Sequence, residues 1–334
     1  MLERPLVSIV ITSYTLDRLG DILELLDSIA AQNYRNIETI FVAERSQELY
    51  GQIKHYTQEK GIPDAKVIFN DGIQGASAAR NLGIKQASGD IIAFVDDDTL
   101  IFPNWAEEMV KTYEEASIIG VTGPSFPLWQ DESAASWLPE EFYWIIGCTA
   151  WLEHNGISEV RNVWLQNASF RREAFELAGL IDVALGPQDS TLGFKGRERK
   201  EGVVSEEVEL SLRVRKATGK RIVFNPDVRA KHRVYNERIK LGYIIRWAYW
   251  MGFSKHKLKK LYPQTDDEPL GQEHQLLKRI LTRLFPNILK TFFTSPATAW
   301  RKLRVTMTAL IFVALGYFSH LCQSLLGGKK AAVH

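Results

Sequence analysis

Cysteine is nearly missing from this chain. Its 334 residues hold two, Cys148 and Cys322, far apart. They supply neither a disulfide framework nor a zinc-ligand spacing, which fits a reducing compartment. Also missing are an internal repeat, a low-complexity tract, a Gly-x-Gly-x-x-Gly run and a Walker pattern, so the dinucleotide and P-loop readings are weak. No signal peptide is expected, because Glu3, Arg4 and Pro5 run straight into an apolar strand. Net charge is small, +1, but it conceals an asymmetry. Arg229 to Arg304 carries 17 Lys/Arg against 5 Asp/Glu, and the remainder carries 24 against 35. A basic C-terminal third on an acidic body implies an anionic partner, lipid headgroups or nucleic acid. No recognisable nucleic-acid module accompanies it. Apolar residues at 45% and charged residues at 24% are enough to build a sizeable core.

The first half alternates buried strands with helices. Strands are expected at 6–12, 37–42, 66–69, 91–95 and 118–122, and helices at 16–31, 47–60, 76–87 and 105–115. That alternation means βαβ units and a mainly parallel sheet, an α/β fold. Residues 125–150 lose the pattern and read as irregular. A strand over 160–170, a helix over 172–178, a surface loop over 186–202, a helix over 204–218 and a strand over 221–224 follow.

The densest chemistry is at Gly89 to Thr99, where the strand Ile91–Val95 runs into Asp96, Asp97 and Asp98. Three carboxylates together repel and raise one another's pKa. A hard divalent cation, Mn²⁺ or Mg²⁺, relieves that repulsion, and the carboxyl end of a strand is where open α/β sheets bind ligands. A solvated acidic turn before a helix is the plainer alternative. Three further groups frame the triplet. Thr12-Ser13-Tyr14 ends the first strand and offers backbone and ring contacts to a nucleotide base. Gly75 to Gly83 opens a helix with small residues and one cation, Arg80, suited to a phosphate. Ser205-Glu206-Glu207 starts another helix, where acids are favoured by the dipole and one of them can serve as general base.

With these residues in view, the chain resembles family 2 glycosyltransferases over residues 5–235. The matching positions are Ser13-Tyr14, Ala79-Arg80-Asn81-Leu82-Gly83, Ser88-Gly89-Asp90, the Asp-x-Asp of Asp96 and Asp98, Asn167 with Phe170-Arg171, Glu206-Glu207 and His232. The resemblance implies a GT-A fold and transfer of one sugar, with inversion, from a nucleotide-diphosphate sugar. It implies Asp96, Asp98 and His232 as metal ligands and Glu207 as general base. Thr12, Tyr14, Glu44, Arg80, Asp96 and Asp97 would face the donor nucleotide and its metal. Trp164, Asn167, Arg171 and Glu206 would hold the sugars. Two departures stand out. After the second strand only Glu44 is available to read the base, which loosens the uridine assignment, and Glu207 stands where the family usually has Asp.

The C-terminal region, 236–334, is basic, aromatic and helical. Trp247, Tyr249, Trp250 and Phe253 interleave with Arg246 and a lysine run, as at a membrane boundary. A basic amphipathic helix over 276–293 is expected to break at Pro286. Residues 305–326 are apolar enough to approach a bilayer's thickness, but their Thr, Ser, His and Gln favour an interfacial helix. Arg246-Trp247 is similar to the pair in processive synthases of the family, yet a polymer channel needs several spans. The expectation is a non-processive enzyme at the cytoplasmic face of a membrane, using a UDP-sugar and a lipid-linked or polysaccharide-precursor acceptor. Two rivals are a silent membrane scaffold, for which the clustered acids have no use, and a sugar-phosphate nucleotidyltransferase, for which residues 12–17 lack the phosphate loop.

Overall fold

A computed structural model describes residues 4–150, 155–185, 206–261 and 271–327. The surface loop expected over 186–202, the position Ser205 and the terminal cations Lys329 and Lys330 lie outside the described residues. The elements run β1 (Val7–Ser13), α1 (Leu19–Ala30), β2 (Ile37–Glu44), α2 (Gln47–Lys60), β3 (Ala65–Asn70), α3 (Ala76–Gln86), β4 (Ile91–Asp96), β5 (Thr99–Ile101), α4 (Trp105–Thr112), β6 (Ile118–Thr122), β7 (Ser125–Trp129), β8 (Ser158–Glu159), β9 (Asn167–Arg171), α5 (Arg172–Ala178), α6 (Glu206–Thr218), β10 (Arg221–Phe224), β11 (Ala230–Val234), α7 (Leu241–Leu261), α8 (Gly271–Arg279), α9 (Phe285–Thr294) and α10 (Pro296–Gly327).

These elements form two compact units. One takes the chain up to Leu128, residues 155–185 and residues 206–233; the other takes residues 129–150 and the chain from Val234. The catalytic domain read from the sequence as an unbroken 1–235 is therefore interrupted. Leu138, Phe142, Ile145, Ile146 and Cys148 are buried with Ile244, Ala248, Ile280 and Val305, so this apolar segment completes the core of the helical unit.

In the first unit an eight-stranded sheet has the order β3-β2-β1-β4-β9-β6-β10-β8. Strands β1, β2, β3 and β4 are parallel, and β9 runs antiparallel between β4 and β6. The continuous apolar runs follow from burial on both faces. Ile9, Ile11, Phe41, Ala93 and Val95 point to a core with α1, α2 and α4. Val10, Ile40, Val42, Ile92 and Phe94 point to a second core with α3, α5 and α6. Helix α3 lies so close to the sheet that a Cβ on Gly83 would be 2.4 Å from Val10 Cγ1.

The structure departs from the sequence reading in three places. Residues 160–166 are not strand: Val163 N–H donates to Ser211 Oγ, Trp164 N–H to Thr122 Oγ1 and Leu165 N–H to Glu207 Oε2. Side chains have taken the donors that a ladder would need, and pairing starts at Asn167. A three-stranded sheet β5-β11-β7, absent from the reading, folds two short segments around β11. The amphipathic helix does not stop at Pro286 either. A π-turn at Ile280–Leu284 links α8 to α9, and Pro286 follows at the start of α9, where its missing donor is tolerated.

In the second unit α7 and α10 cross at two glycines. A Cβ on Gly252 would lie 1.9 Å from Val313 O, and one on Gly316 1.9 Å from Tyr249 O. Tyr249 OH donates to Ser319 Oγ (2.8 Å), and the Nδ1 atoms of His256 and His320 are 2.6 Å apart.

Candidate active site

The parallel pairing of β1 with β4 sets Thr12 beside Asp96, so both strands end at one edge. Beyond that edge the chain turns through Asp97 and Asp98 into β5. Antiparallel pairing of β5 with β11 then places His232 opposite Thr99, and Arg233 N–H donates to Asp98 O (2.9 Å). A residue remote in sequence is thereby fixed by strand register next to the triplet. Ligand atoms of Asp96, Asp98 and His232 all lie within 4.8 Å of one another, and His232 Nε2 is 3.2 Å from Asp98 Oδ1. Asp98 and His232 are 1% and 2% exposed. Two carboxylates and one imidazole, with Asp98 and His232 shielded from water and Asp96 half-buried, are a donor set that fits a divalent cation of the Mn²⁺ or Mg²⁺ kind.

Two arginines compensate the triplet from opposite sides. Arg80, buried on α3, donates to Asp96 Oδ1 at 2.8 Å and lies 3.9 Å from Glu206 Oε1. Burial alone would lower the pKa of this guanidinium, but Asp96, Glu206 and Glu207 outweigh it and hold it above its ordinary value. Arg80 therefore links the acids at the end of β4 to the acids at the start of α6. Arg18 sits on the other side. Its Nη1 is 2.6 Å from Asp97 Oδ1 and 3.2 Å from Asp98 Oδ2. Ser13 Oγ donates to Asp97 Oδ2 at 2.5 Å. Burial pushes the Asp97 carboxyl up, Arg18 opposes that, and Asp98 adds to it. Asp97 is thus held by Arg18 and Ser13. Arg18 was missed in the sequence reading. No local pattern marks it, and the signal is indirect, since a buried acid triplet requires counter-charge.

Glu207 is half-buried, and its Oε2 accepts from Leu165 N–H at 3.2 Å. Trp164, also half-buried, is the next residue back, in the turn entering β9 at the same edge of the sheet as Asp96. Tyr14 is 46% exposed just beyond β1. These positions bring Thr12, Tyr14, Arg80, Asp96, Asp97, Asp98, Trp164, Glu206, Glu207 and His232 to one edge.

Three residues do not fit the roles expected of them. Asn167 is fully buried: its Oδ1 accepts from Trp105 Nε1 and its Nδ2 donates to Pro124 O and Val228 O. It locks strand ends together, and both ends of its side-chain amide already have protein partners. Arg171 pairs in register with Ile91, at the opposite end of β4 from the acids, and donates to Ile118 O and Tyr113 O. It anchors the far edge of the sheet. Glu44 is buried at the end of β2 and accepts from Gly75 N–H at 3.0 Å, so it shapes the entry to α3 instead of presenting an open carboxylate to a base.

Known proteins share this fold. The model of the family described as glycosyl transferase family 2 matches residues 8–178. The chain belongs to glycosyl transferase family 2. It is 29% identical over 294 residues to a glucosyl-dolichyl phosphate glucuronosyltransferase of Haloferax volcanii, with 88% of each chain covered. Among solved structures it is similar to the mannosyltransferase PcManGT of Pyrobaculum calidifontis in complex with GDP-Man and Mn²⁺, at TM-score 0.58 and 17% identity, covering 99% of this chain and 81% of that one. It is also similar to S. aureus TarS 1-349 in complex with UDP-GlcNAc, at TM-score 0.52 and 16% identity, covering 92% and 81%. The fold is GT-A, and this family 2 member is a glycosyltransferase.

Proposed function

We propose that this chain moves one sugar, with inversion, from a nucleotide-diphosphate sugar to a hydroxyl of a lipid-linked acceptor at the cytoplasmic face of a membrane. The supporting observation is the Arg80 bridge, which puts the Asp96–Asp98–His232 group and Glu206–Glu207 in one constellation. Asp96, Asp98 and His232 would hold Mn²⁺ or Mg²⁺, which when bound neutralises charge on the departing pyrophosphate as a Lewis acid. Arg80 and Arg18 keep the acids compensated and in place. Thr12 and Tyr14 contact the base, read as uridine. Glu207, oriented by Leu165 N–H, takes the acceptor's hydroxyl proton on the face opposite the leaving group, so that displacement is in line. Trp164 packs on a sugar beside it. A lipid-linked acceptor is supported by the Haloferax relative, whose name specifies a glucosyl-dolichyl phosphate.

The first test is a thermal-shift panel of UDP- and GDP-linked sugars with and without Mn²⁺. A donor that fits raises the melting temperature when metal is present. Asp98→Ala should lose that shift. Glu207→Gln should keep it and lose transfer by about 10²–10⁴-fold, the usual range for a general base. Full transfer by Glu207→Gln, or a product that retains the donor's anomeric configuration by NMR, would overturn the mechanism.

A further inference from the structure

Besides its buried core, the helical unit presents an apolar stripe on its outside. On α10 the side chains of Trp300, Met307, Ile311, Leu315, Phe318 and Leu325 are exposed. From Met307 to Leu325 they follow helical spacing along one stripe about 27 Å long. Three polar side chains of the same helix turn inward. Ser319 meets Tyr249, His320 meets His256, and Thr306 is fully buried and donates to Lys302 O. Burial, Lys260 and Lys259 hold His256 below the ordinary imidazole range. The glycine crossing lets α7 cover that inner side closely. On α9, Leu289 and Phe293 are exposed as well, Phe293 to 91%.

Three occupants of the stripe can be weighed. A second copy of the chain would set Lys290, Arg301, Lys302 and Arg304, which lie beside the apolar side chains, against their own like charges. A helix crossing the bilayer would draw α7 into hydrocarbon with it, and α7 carries Arg246, Lys255, Lys257, Lys259 and Lys260. An anionic bilayer surface satisfies both features: acyl chains take the one-sided stripe and headgroups take the cations. We propose that the helical unit rests on an anionic bilayer as a one-sided foot, with the outer stripe of α10 and the Leu289–Phe293 end of α9 sunk to the acyl boundary and α7 on the water side. This deepens the membrane reading above and can fail separately from it.

The test uses the full chain and phosphatidylcholine vesicles with or without phosphatidylglycerol. Cys322 is exposed on α10 and Cys148 is buried, so the unmodified protein takes an environment-sensitive fluorophore at Cys322. Further labels go at Trp300→Cys, Ile311→Cys, Leu315→Cys and Phe318→Cys in a Cys322→Ser background, with Arg246→Cys as the α7 probe. The stripe labels should shift to the blue on phosphatidylglycerol vesicles. Shallow nitroxide lipids should quench them all to a similar extent, and the Arg246→Cys label should stay in water. Phe318→Glu should keep the helical circular dichroism and lose vesicle binding. A depth profile deepest at Leu315 and shallow at both ends would mean a crossing helix and overturn the proposal while sparing the membrane reading. Stripe labels that stay in water on every vesicle, or that bury by dimerisation without lipid, would overturn both. Donor-induced thermal shifts report on the transfer reading independently.

Discussion

Arg18 shows how much of a site can depend on a residue with no motif of its own. Its guanidinium holds Asp97 and touches Asp98, so removing it leaves adjacent buried carboxylates under-compensated. Arg18→Met should cost about 2–3 kcal/mol by denaturant titration, less than the 3–5 typical of a fully buried broken pair because Arg18 is partly exposed. The same variant should gain more melting temperature from Mn²⁺ than the parent does, since the ion supplies the lost charge; equal gains would show that Arg18 does not compensate this cluster. The acids themselves were legible, because three carboxylates at a strand end form a short local pattern. The setting of Asn167 was not legible for a related reason. Its partners, Trp105, Pro124 and Val228, are distant in sequence, and nothing local reveals that its amide is already occupied.

Elements with clear ends were read closely. The strand over 221–224 and the helices over 47–60 and 172–178 fall where they were expected, the first of these helices closed at Gly61. The small sheet β5-β11-β7 was not legible, because strands this short carry too few residues to show alternation. At the far end of the large sheet, Glu38 is fully buried and accepts from Ser8 Oγ, Lys66 Nζ and the N–H groups of Ser88 and Gly89. Burial pushes its pKa up, but these donors outweigh burial and hold it below the usual carboxylate range. Its stabilisation is therefore present above the unfolded carboxylate value and is lost as pH falls through the folded one. Glu38→Gln should cost about 2 kcal/mol at neutral pH, through lost charge-assisted hydrogen bonds. The deficit should shrink towards pH 3 in paired urea melts, and a deficit constant with pH would contradict the ionised role. At the helix crossing, Gly252→Ala puts a methyl where Val313 O already lies, so α7 and α10 must separate. The expected result is earlier melting and proteolysis within α10, with no change in the Mn²⁺-dependent donor shift.

The whole chain couples an acidic catalytic sheet to a basic helical region, a contrast visible in the sequence before any fold is assigned. Membrane attachment that rests partly on charge should weaken with salt. Pelleting with phosphatidylglycerol vesicles should fall steeply as the screening length contracts from about 30 Å at 0.01 M to about 3 Å at 1 M salt. The apolar stripe should leave a residual fraction bound, and pelleting indifferent to salt would remove the cationic rim from the account. The sequence could not show that residues 129–150 belong with the distant helices, since their large apolar side chains fit any core. The strand register that delivers His232 also has a consequence for biosynthesis. Asp96 and Asp98 leave the ribosome long before the imidazole that joins them; at about 5–20 residues per second the interval of roughly 130 residues lasts about 6–26 s. During that time the nascent chain has its acids but not the imidazole beside them, so the candidate metal site is complete only once β11 has been synthesised and zipped onto β5.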